Sequence, residues 1–418
     1  MRILFVTARP PWPARRGDQV RTAGLVSVLS RRHTVRVVAQ SWGAARTALP
    51  SLSGGAARSP AAAAGITVRT IPIPVWQVWL GIGSAAARPL QVALHRHREF
   101  AAAVRREVDG FRPDVVVLVL SRIGDVLDEL RGVAVVVDLV DALGLNMEQR
   151  ALRQPLLRGL FSWEARRMTD WERRVARRSR AATVVAERDR RALADDDEEL
   201  LDKVRVVPYG LRLRRRDPFD VPRHPVISLT GNLGYFPTVD GALWFARKVW
   251  PEIYRRLPRT RWWLAGARPA RAVRRLAALA GVELFASPDD LGSITRRSAV
   301  AIAPMWSGSG TPIKILEAMA ARVPVVTTRT ACAGLDDLPD GAVSIANHPR
   351  DFAQSVAELL SDRAFANRQA LIAYRWLQSH HDLEAVGRHF ETVLEDAVEL
   401  AAISASRDAS PSTCSSSR

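Results

Sequence analysis

The sequence predicts two doubly wound α/β units in series, on three observations. Short apolar runs alternate with helical patterns from end to end, most of these runs are unbroken by polar residues, and 418 residues exceed what one core usually supports. Unbroken apolar runs suit parallel strands covered on both faces. In the first half the candidate strands are Ile3–Thr7, Val35–Ala39, Val115–Leu120, Val133–Val137, Thr183–Val185 and Val204–Val207. In the second they are Val226–Leu229, Trp262–Ala265, Val282–Phe285, Val300–Ala303 and Val323–Thr327. Between strands the period changes. Val239, Leu243, Phe245, Ala246, Val249, Trp250 and Ile253 recur at helical spacing, with Thr238 as N-cap, so one helix is predicted over 239–254.

The units divide where the composition changes. Residues 1–207 form the first, and 208–225 read as a linker, opening at Pro208-Tyr209-Gly210 and continuing through a polar stretch rich in Arg, Pro and Asp. Residues 226–384 form the second unit, and 385–402 a helix expected to pack back on the first. Residues 403–418 are Ser-rich at their end and patternless, and are expected to be a disordered tail.

Composition bounds the function. With 47% hydrophobic and 25% charged residues, the chain is ordinary for a soluble protein. No apolar run reaches the roughly 18 residues of a spanning helix, and the start lacks a secretion-signal pattern. The two cysteines, Cys332 and Cys414, are far apart and form neither a disulfide framework nor a metal-ligand spacing. A cytoplasmic location is the expectation, with no metal site. The net charge of +18 raises nucleic acid as a partner. Only three of the 61 basic residues are lysines, however, and the arginines are spread along the whole chain. That is a coding bias rather than a basic face, so no nucleic-acid partner is expected; anionic lipid or a diphosphate would still feel the field. Val75-Trp76-Gln77-Val78-Trp79-Leu80, followed by Arg88, His95, Arg96, His97 and Arg98, admits two readings. One is a membrane-interface contact; the other is a helix pair packed on the first unit.

The most informative stretch is Ser307-Gly308-Ser309-Gly310-Thr311-Pro312-Ile313-Lys314-Ile315-Leu316-Glu317-Ala318-Met319-Ala320. Gly308 and Gly310 let the backbone bend tightly and approach a ligand. Thr311 is a good N-cap and Pro312 suits the first helical position. The free N–H groups there, with the helix dipole and Lys314, favour a phosphate. Glu317 falls beside the apolar stripe, where a carboxylate is costly unless it accepts hydrogen bonds. A ribose hydroxyl pair would supply them. The arrangement therefore reads as a nucleotide site, or else as an ordinary loop and helix with Glu317 paired to an arginine. It is not a Walker motif.

Ser307–Ala320 with Val323-Pro324-Val325-Val326 resembles the C-terminal donor signature of family 4 glycosyltransferases, retaining enzymes of the GT-B fold. Met1–Thr7, Pro10–Pro13 and Gly17-Asp18-Gln19-Val20-Arg21 resemble that family's first strand and the loop facing the donor. Gly231-Asn232-Leu233-Gly234-Tyr235-Phe236-Pro237-Thr238-Val239-Asp240-Gly241 is similar to the second-domain opening of bacterial exopolysaccharide and PEP-CTERM-associated sugar transferases. Val136–Asp141 and the acidic helix with Glu164 and Glu172 fit that branch. The likeness runs from Met1 to about Thr392.

The resemblance implies two facing Rossmann-like domains with a cleft between them. It implies retaining transfer of a sugar from a nucleotide sugar (UDP-, GDP- or TDP-linked), with no required cofactor or metal. The acceptor would be a glycan, a lipid-linked molecule or a small molecule, with peripheral contact at the inner membrane face. Glu317 would bind the ribose, and Gly310, Thr311 and Lys314 the diphosphate. Gly17, Gly231, Asn232, Gly266, Gly308 and Ser309 would complete the donor site. Asp138, Asp141 and Arg21 are acceptor-side candidates; the two aspartates equally read as a helix cap and a solvated loop acid. Ser309 stands where many members carry the first of two glutamates eight positions apart. Two rivals share the shape: a non-catalytic scaffold, and a nucleotide-sugar epimerase, which should show a carboxylate and histidine set in the cleft.

Overall fold

A computed structural model describes residues 1–14, 16–42, 65–74, 87–213 and 225–409, with side chains described through residue 404. Two parallel sheets form the frame. The first contains β1 (Arg2–Thr7), β2 (Thr34–Trp42), β3 (Thr67–Ile73), β4 (Val115–Val119), β5 (Ala134–Val140), β6 (Ala181–Val184) and β7 (Val204–Val206), in the order β3-β2-β1-β4-β5-β6-β7. The second contains β8 (Val226–Asn232), β9 (Arg261–Ala267), β10 (Val282–Ala286), β11 (Val300–Ala303), β12 (Val325–Thr327) and β13 (Ser344–Ile345), in the order β10-β9-β8-β11-β12-β13. Each is a doubly wound α/β arrangement, as the apolar runs predict. The central strands β1, β4 and β5 are buried almost throughout, which is why they read as unbroken hydrophobic runs.

Two strands lack that signal. β3 (Thr-Val-Arg-Thr-Ile-Pro-Ile) carries polar residues and Pro72, which an edge strand tolerates because one side of its ladder is unpaired. β13 has only two residues. The helix predicted over 239–254 is two, Phe236–Lys248 and Trp250–Arg256, because Pro251 lies at the start of the second and cannot donate to the turn before it. Thr238 is not its cap. The helix begins at Phe236, and the Thr238 hydroxyl faces Lys314.

The chain crosses between the units twice, and the crossings touch. The Leu211 amide donates to the His381 carbonyl (2.8 Å), and the Leu383 amide donates to the Leu211 carbonyl (3.1 Å). Helix Leu383–Ala409 then lies along helix Gly17–Leu29 of the first sheet's layer, with ion pairs Arg31–Glu384 and Arg32–Glu391 at its side. A side chain at Gly387 would meet Val28 at 2.5 Å, so the two helices are in close contact. This helix runs through Ala409, so residues 403–409 are helical rather than tail; 410–418 lie outside the described residues, as does most of the expected linker.

The tryptophans Trp76 and Trp79 also lie outside the described residues. The basic stretch beyond them makes internal contacts. Arg88 pairs with Asp125 (2.9 Å), and the His97 ring accepts the Phe100 amide at the start of helix Arg98–Phe111.

Candidate functional site

The glycine-rich loop leaves β11 and enters helix Ile313–Ala320. Gly308 (φ +135°) and Gly310 (φ +66°) have backbone angles that side chains disfavour, and a Cβ on Gly310 would lie 2.9 Å from that of Asp141. The N-cap is Pro312, not Thr311. The Thr311 hydroxyl instead donates to the Gly334 carbonyl (2.9 Å), and so ties the loop to the turn after β12. The backbone N–H groups of Thr311, Ile313 and Lys314 donate to no described residue. They form the positive end of this helix.

Lys314 and Glu317 stand one turn apart on that helix. The Lys314 ammonium donates to Thr238 Oγ1 (2.9 Å) and makes no ion pair within 4 Å with a described residue. The Glu317 carboxylate accepts no hydrogen bond from a described residue. Burial lowers Lys314 to about 8, with Glu317 opposing, and raises Glu317 to about 7, with Lys314 opposing. Removal from water outweighs their mutual attraction in both cases. Beneath them the ends of β8 and β9 close tightly. A Cβ on Gly266 (φ +153°) would lie 1.6 Å from the Gly231 carbonyl oxygen, and one on Gly231 would lie 3.5 Å from Lys314 Cε. The glycines let the strand ends pass under the lysine. Asn232 Oδ1 accepts the Gly234 amide (3.1 Å), closing a local turn.

The first unit forms the opposite wall. Helix Gly17–Leu29 begins against helix Ile313–Ala320, since a Cβ on Gly17 would lie 2.8 Å from Tyr209 Oη and 3.1 Å from Ile313 Cδ1. The glycine-rich loop is held from this side. Gly308 N–H donates to Gln149 Oε1 (2.7 Å), and Arg188 Nη2 donates to the Gly308 carbonyl (2.9 Å). Gly310 N–H donates to the Asp189 carboxylate (3.1 and 3.2 Å), which also accepts the Ala142 amide (3.0 Å). Ser309 Oγ donates to Asp141 Oδ2 (2.8 Å) and accepts from Asn146 Nδ2 (3.1 Å), whose other contact is Tyr235 Oη (2.8 Å). The Gly310 amide, expected at the diphosphate, and that of Gly308, expected in the donor site, are thus occupied by side chains of the other unit. Burial, with Asp141 nearby, pushes Asp189 up to about 6. Burial raises Asp141 as well.

Two acceptor-side candidates are corrected. Arg21 and Asp138 are 0% and 1% exposed and bond to each other (2.8 Å). Arg21 also donates to the carbonyls of Val207 (2.8 Å) and Pro208 (2.7 Å), and Asp138 accepts the Thr183 hydroxyl (2.8 Å). They tie β5, β6 and the start of the crossing together, out of reach of any acceptor. Glu172 is structural too. It accepts the amides of Leu143 (3.0 Å) and Gly144 (3.1 Å) at the start of helix Leu143–Arg153, and burial raises it to about 8. Asn146, Gln149, Arg188 and Asp189 escaped notice in the sequence. Their one signal is position, since each lies just past the end of β5 or β6, on the edge where ligands gather in open sheets.

Residues 224–362 match the family model described as glycosyl transferases group 1. The architecture is the GT-B fold. Sucrose-phosphate synthase from Thermosynechococcus elongatus superposes with a TM-score of 0.69 at 14% identity, covering 96% of this chain and 100% of that one. HepE of Anabaena, solved with UDP-glucose, gives 0.64 at 13%, covering 94% and 99%. WaaG, a glycosyltransferase involved in lipopolysaccharide biosynthesis, gives 0.63 at 16%, covering 94% and 99%. No curated protein matches the chain in sequence.

Proposed function

We propose that the chain is a glycosyltransferase that moves a sugar from a nucleotide-sugar donor to an acceptor, with retention and without a required metal. The observation that carries this reading is the Lys314–Glu317 pair: two charges of opposite sign, half-buried and unpaired with each other, at the start of a helix facing the other unit. A nucleoside diphosphate complements both. Glu317 accepts the two ribose hydroxyls, and Lys314 with the amides of Thr311 and Ile313 takes the diphosphate. Negative charge grows on that diphosphate as the glycosidic bond breaks, so donors already aimed at it stabilise the transition state more than the ground state. Closure of the two units over the donor excludes the water that would otherwise hydrolyse it. Retention rests on the resemblance to family 4. UDP is the first base to test, since HepE is solved with it.

A second reading has one observation in its favour. A scaffold without activity fits a loop whose Gly308 and Gly310 amides are already occupied. Thermal unfolding of wild type and Glu317→Ala against UDP, GDP, ADP and TDP separates the two. A ligand at about a hundred times its Kd adds about 2.7 kcal/mol, a visible shift in midpoint. The donor reading expects one diphosphate to shift the wild type and not the variant. No shift with any of the four would favour the scaffold.

The reading includes peripheral contact with the inner membrane face. Helices Leu143–Arg153 and Arg158–Arg178 pack as a hairpin whose tip exposes Leu152 (65%), Leu156 (101%), Leu157, Leu160 and Trp163, with Arg158 and Arg166 exposed beside them. An apolar tip ringed by arginines suits an anionic bilayer surface. Flotation with phosphatidylglycerol vesicles checks this; equal recovery of wild type and Leu156→Glu/Leu160→Glu would refute it.

A further inference from the structure

The strand order of the first sheet reverses between β1 and β4, and in open α/β sheets ligands bind beyond the carboxyl ends of the strands at such a point. Two arginines flank it, Arg9 just past β1 and Arg122 just past β4. Arg9 pairs with Asp18 (2.6 Å). Arg122 makes no hydrogen bond or ion pair with any described residue, and its Nε is shut away from solvent without a partner. A guanidinium keeps its charge under nearly all conditions, so burying one without a counter-ion is expensive. Arg16 at the start of helix Gly17–Leu29 likewise has no hydrogen-bond or ion-pair partner among the described residues, and its electrostatic neighbours are Arg9, Arg268 and Arg122 together with Asp18. Burial together with Arg9 holds Arg122 below the usual arginine range, against the pull of Asp141 and Asp18.

Helix Leu90–His95 packs against the turn Ser121–Glu129 that carries Arg122, and brings a hydrogen-bond acceptor to that turn. His95 lies within its electrostatic reach and is held at about 4 by burial and by Arg122, so the ring is neutral near pH 7. Its Nδ1 faces the Gln91 carbonyl (2.8 Å) and must donate there, which leaves the buried Nε2 as an acceptor without a partner. Gln40 at the end of β2 donates its Nε2 to the His95 carbonyl (2.8 Å), which leaves its buried Oε1 in the same condition. A guanidinium with no hydrogen-bonded counter-ion, with Arg9 and Arg16 near it as well as the carboxylates of Asp141, Asp18 and Glu172, and with the two unfilled acceptors of the adjoining His95–Gln40 pair, suits an anion attached to a hydroxylated body.

We propose that the acceptor is a sugar bearing a phosphate, with the phosphate on Arg122 and the hydroxyls on His95 Nε2 and Gln40 Oε1. The word acceptor rests on the transferase reading; the phosphate site does not. It is separate from the donor diphosphate, whose complement of Lys314 and the helix amides belongs to the second unit. A planar fork of N–H donors matches phosphate oxygens two at a time, so Arg122 also fixes orientation and presents a hydroxyl of the bound sugar to the donor.

The test titrates inorganic phosphate, by calorimetry at low ionic strength, into wild type, Arg122→Gln, Arg122→Lys and Lys314→Ala. A phosphate site retained in Lys314→Ala, weakened at least tenfold in Arg122→Gln and partly restored in Arg122→Lys is the expected result. Loss in Lys314→Ala with retention in Arg122→Gln would overturn it, as would the absence of phosphate binding to the wild type. The same variants titrated with the best nucleoside diphosphate keep the two readings apart. Arg122→Gln should leave that affinity within about threefold, and a loss as large as in Lys314→Ala would assign Arg122 to the donor. Competition of phosphate by glucose 6-phosphate supports the sugar-phosphate acceptor, and displacement by farnesyl phosphate alone, which has no sugar hydroxyls, refutes it. Displacement by neither refutes the acceptor assignment.

Discussion

Two helices, one from each unit, meet end to end across the cleft, and each carries charged residues that the sequence marks as candidates. On helix Gly17–Leu29, Arg21 has a carboxylate, two carbonyls and the face of Tyr209 around it. On helix Ile313–Ala320, Lys314 has one hydroxyl and Glu317 has no donor among the described residues. The first set is held within the chain apart from Arg21 Nη2, which is buried without a hydrogen-bond partner, whereas the second is incomplete at its carboxylate and its ammonium alike. Buried polar groups that are satisfied hold a fold together, whereas the same groups left open mark where a ligand belongs.

The comparison breaks first at Arg21. Replacing it by alanine leaves Asp138 charged and buried, which should cost about 3–5 kcal/mol in denaturant unfolding. Nucleotide affinity of the protein that remains folded should be unchanged; a loss larger than about threefold would return Arg21 to the site. Glu317→Ala is the counterpart. Losing the charge-assisted bonds to the ribose should weaken the nucleoside diphosphate about a hundredfold while the unfolding midpoint holds or rises. A lowered midpoint with normal affinity would make Glu317 structural. Lys314→Ala sharpens the division of labour further, with about a tenfold loss for the diphosphate and none for the nucleoside. Equal losses would deny it contact with phosphate.

The smallest effects are in pH. Glu317 must be ionised to accept and Lys314 protonated to donate, so diphosphate affinity should peak between about 7 and about 8. In Glu317→Gln the acid side of that profile should flatten; an unchanged profile would remove Glu317 from the explanation. Glu172 is raised in the folded state, which therefore binds more protons than the unfolded chain, so its contribution to stability falls as pH rises toward about 8. Between pH 6.5 and 8 the unfolding midpoint should decline in wild type and decline less in Glu172→Gln.

The frame was legible because central parallel strands are apolar on both faces, and β1, β4, β5 and β8 leave that record in the sequence. β3 left none, since an edge strand can carry Arg69 and Pro72. At the site, Gly310, Lys314 and Glu317 stood out because their types conflict with an ordinary amphipathic helix. Arg21 and Asp138 were singled out by the resemblance, as acceptor-side candidates, and proved to be each other's partners. Position along the chain does not say which charges meet; 117 residues separate these two. Asp189 and Arg122 were hidden in a sequence so rich in arginine and acid that neither is conspicuous, and only the folded neighbourhood distinguishes Arg122, with no hydrogen-bond partner among the described residues, from Arg88, with one.

The helix over Leu383–Ala409 has a consequence for synthesis. It lies along helix Gly17–Leu29, yet it follows the whole of the second sheet in the chain. Domains usually mature in the order they leave the ribosome. Here the early layer keeps an apolar flank uncovered, around Val28, until translation has passed the entire second sheet. A product cut short before Leu383 would be exposed along that flank.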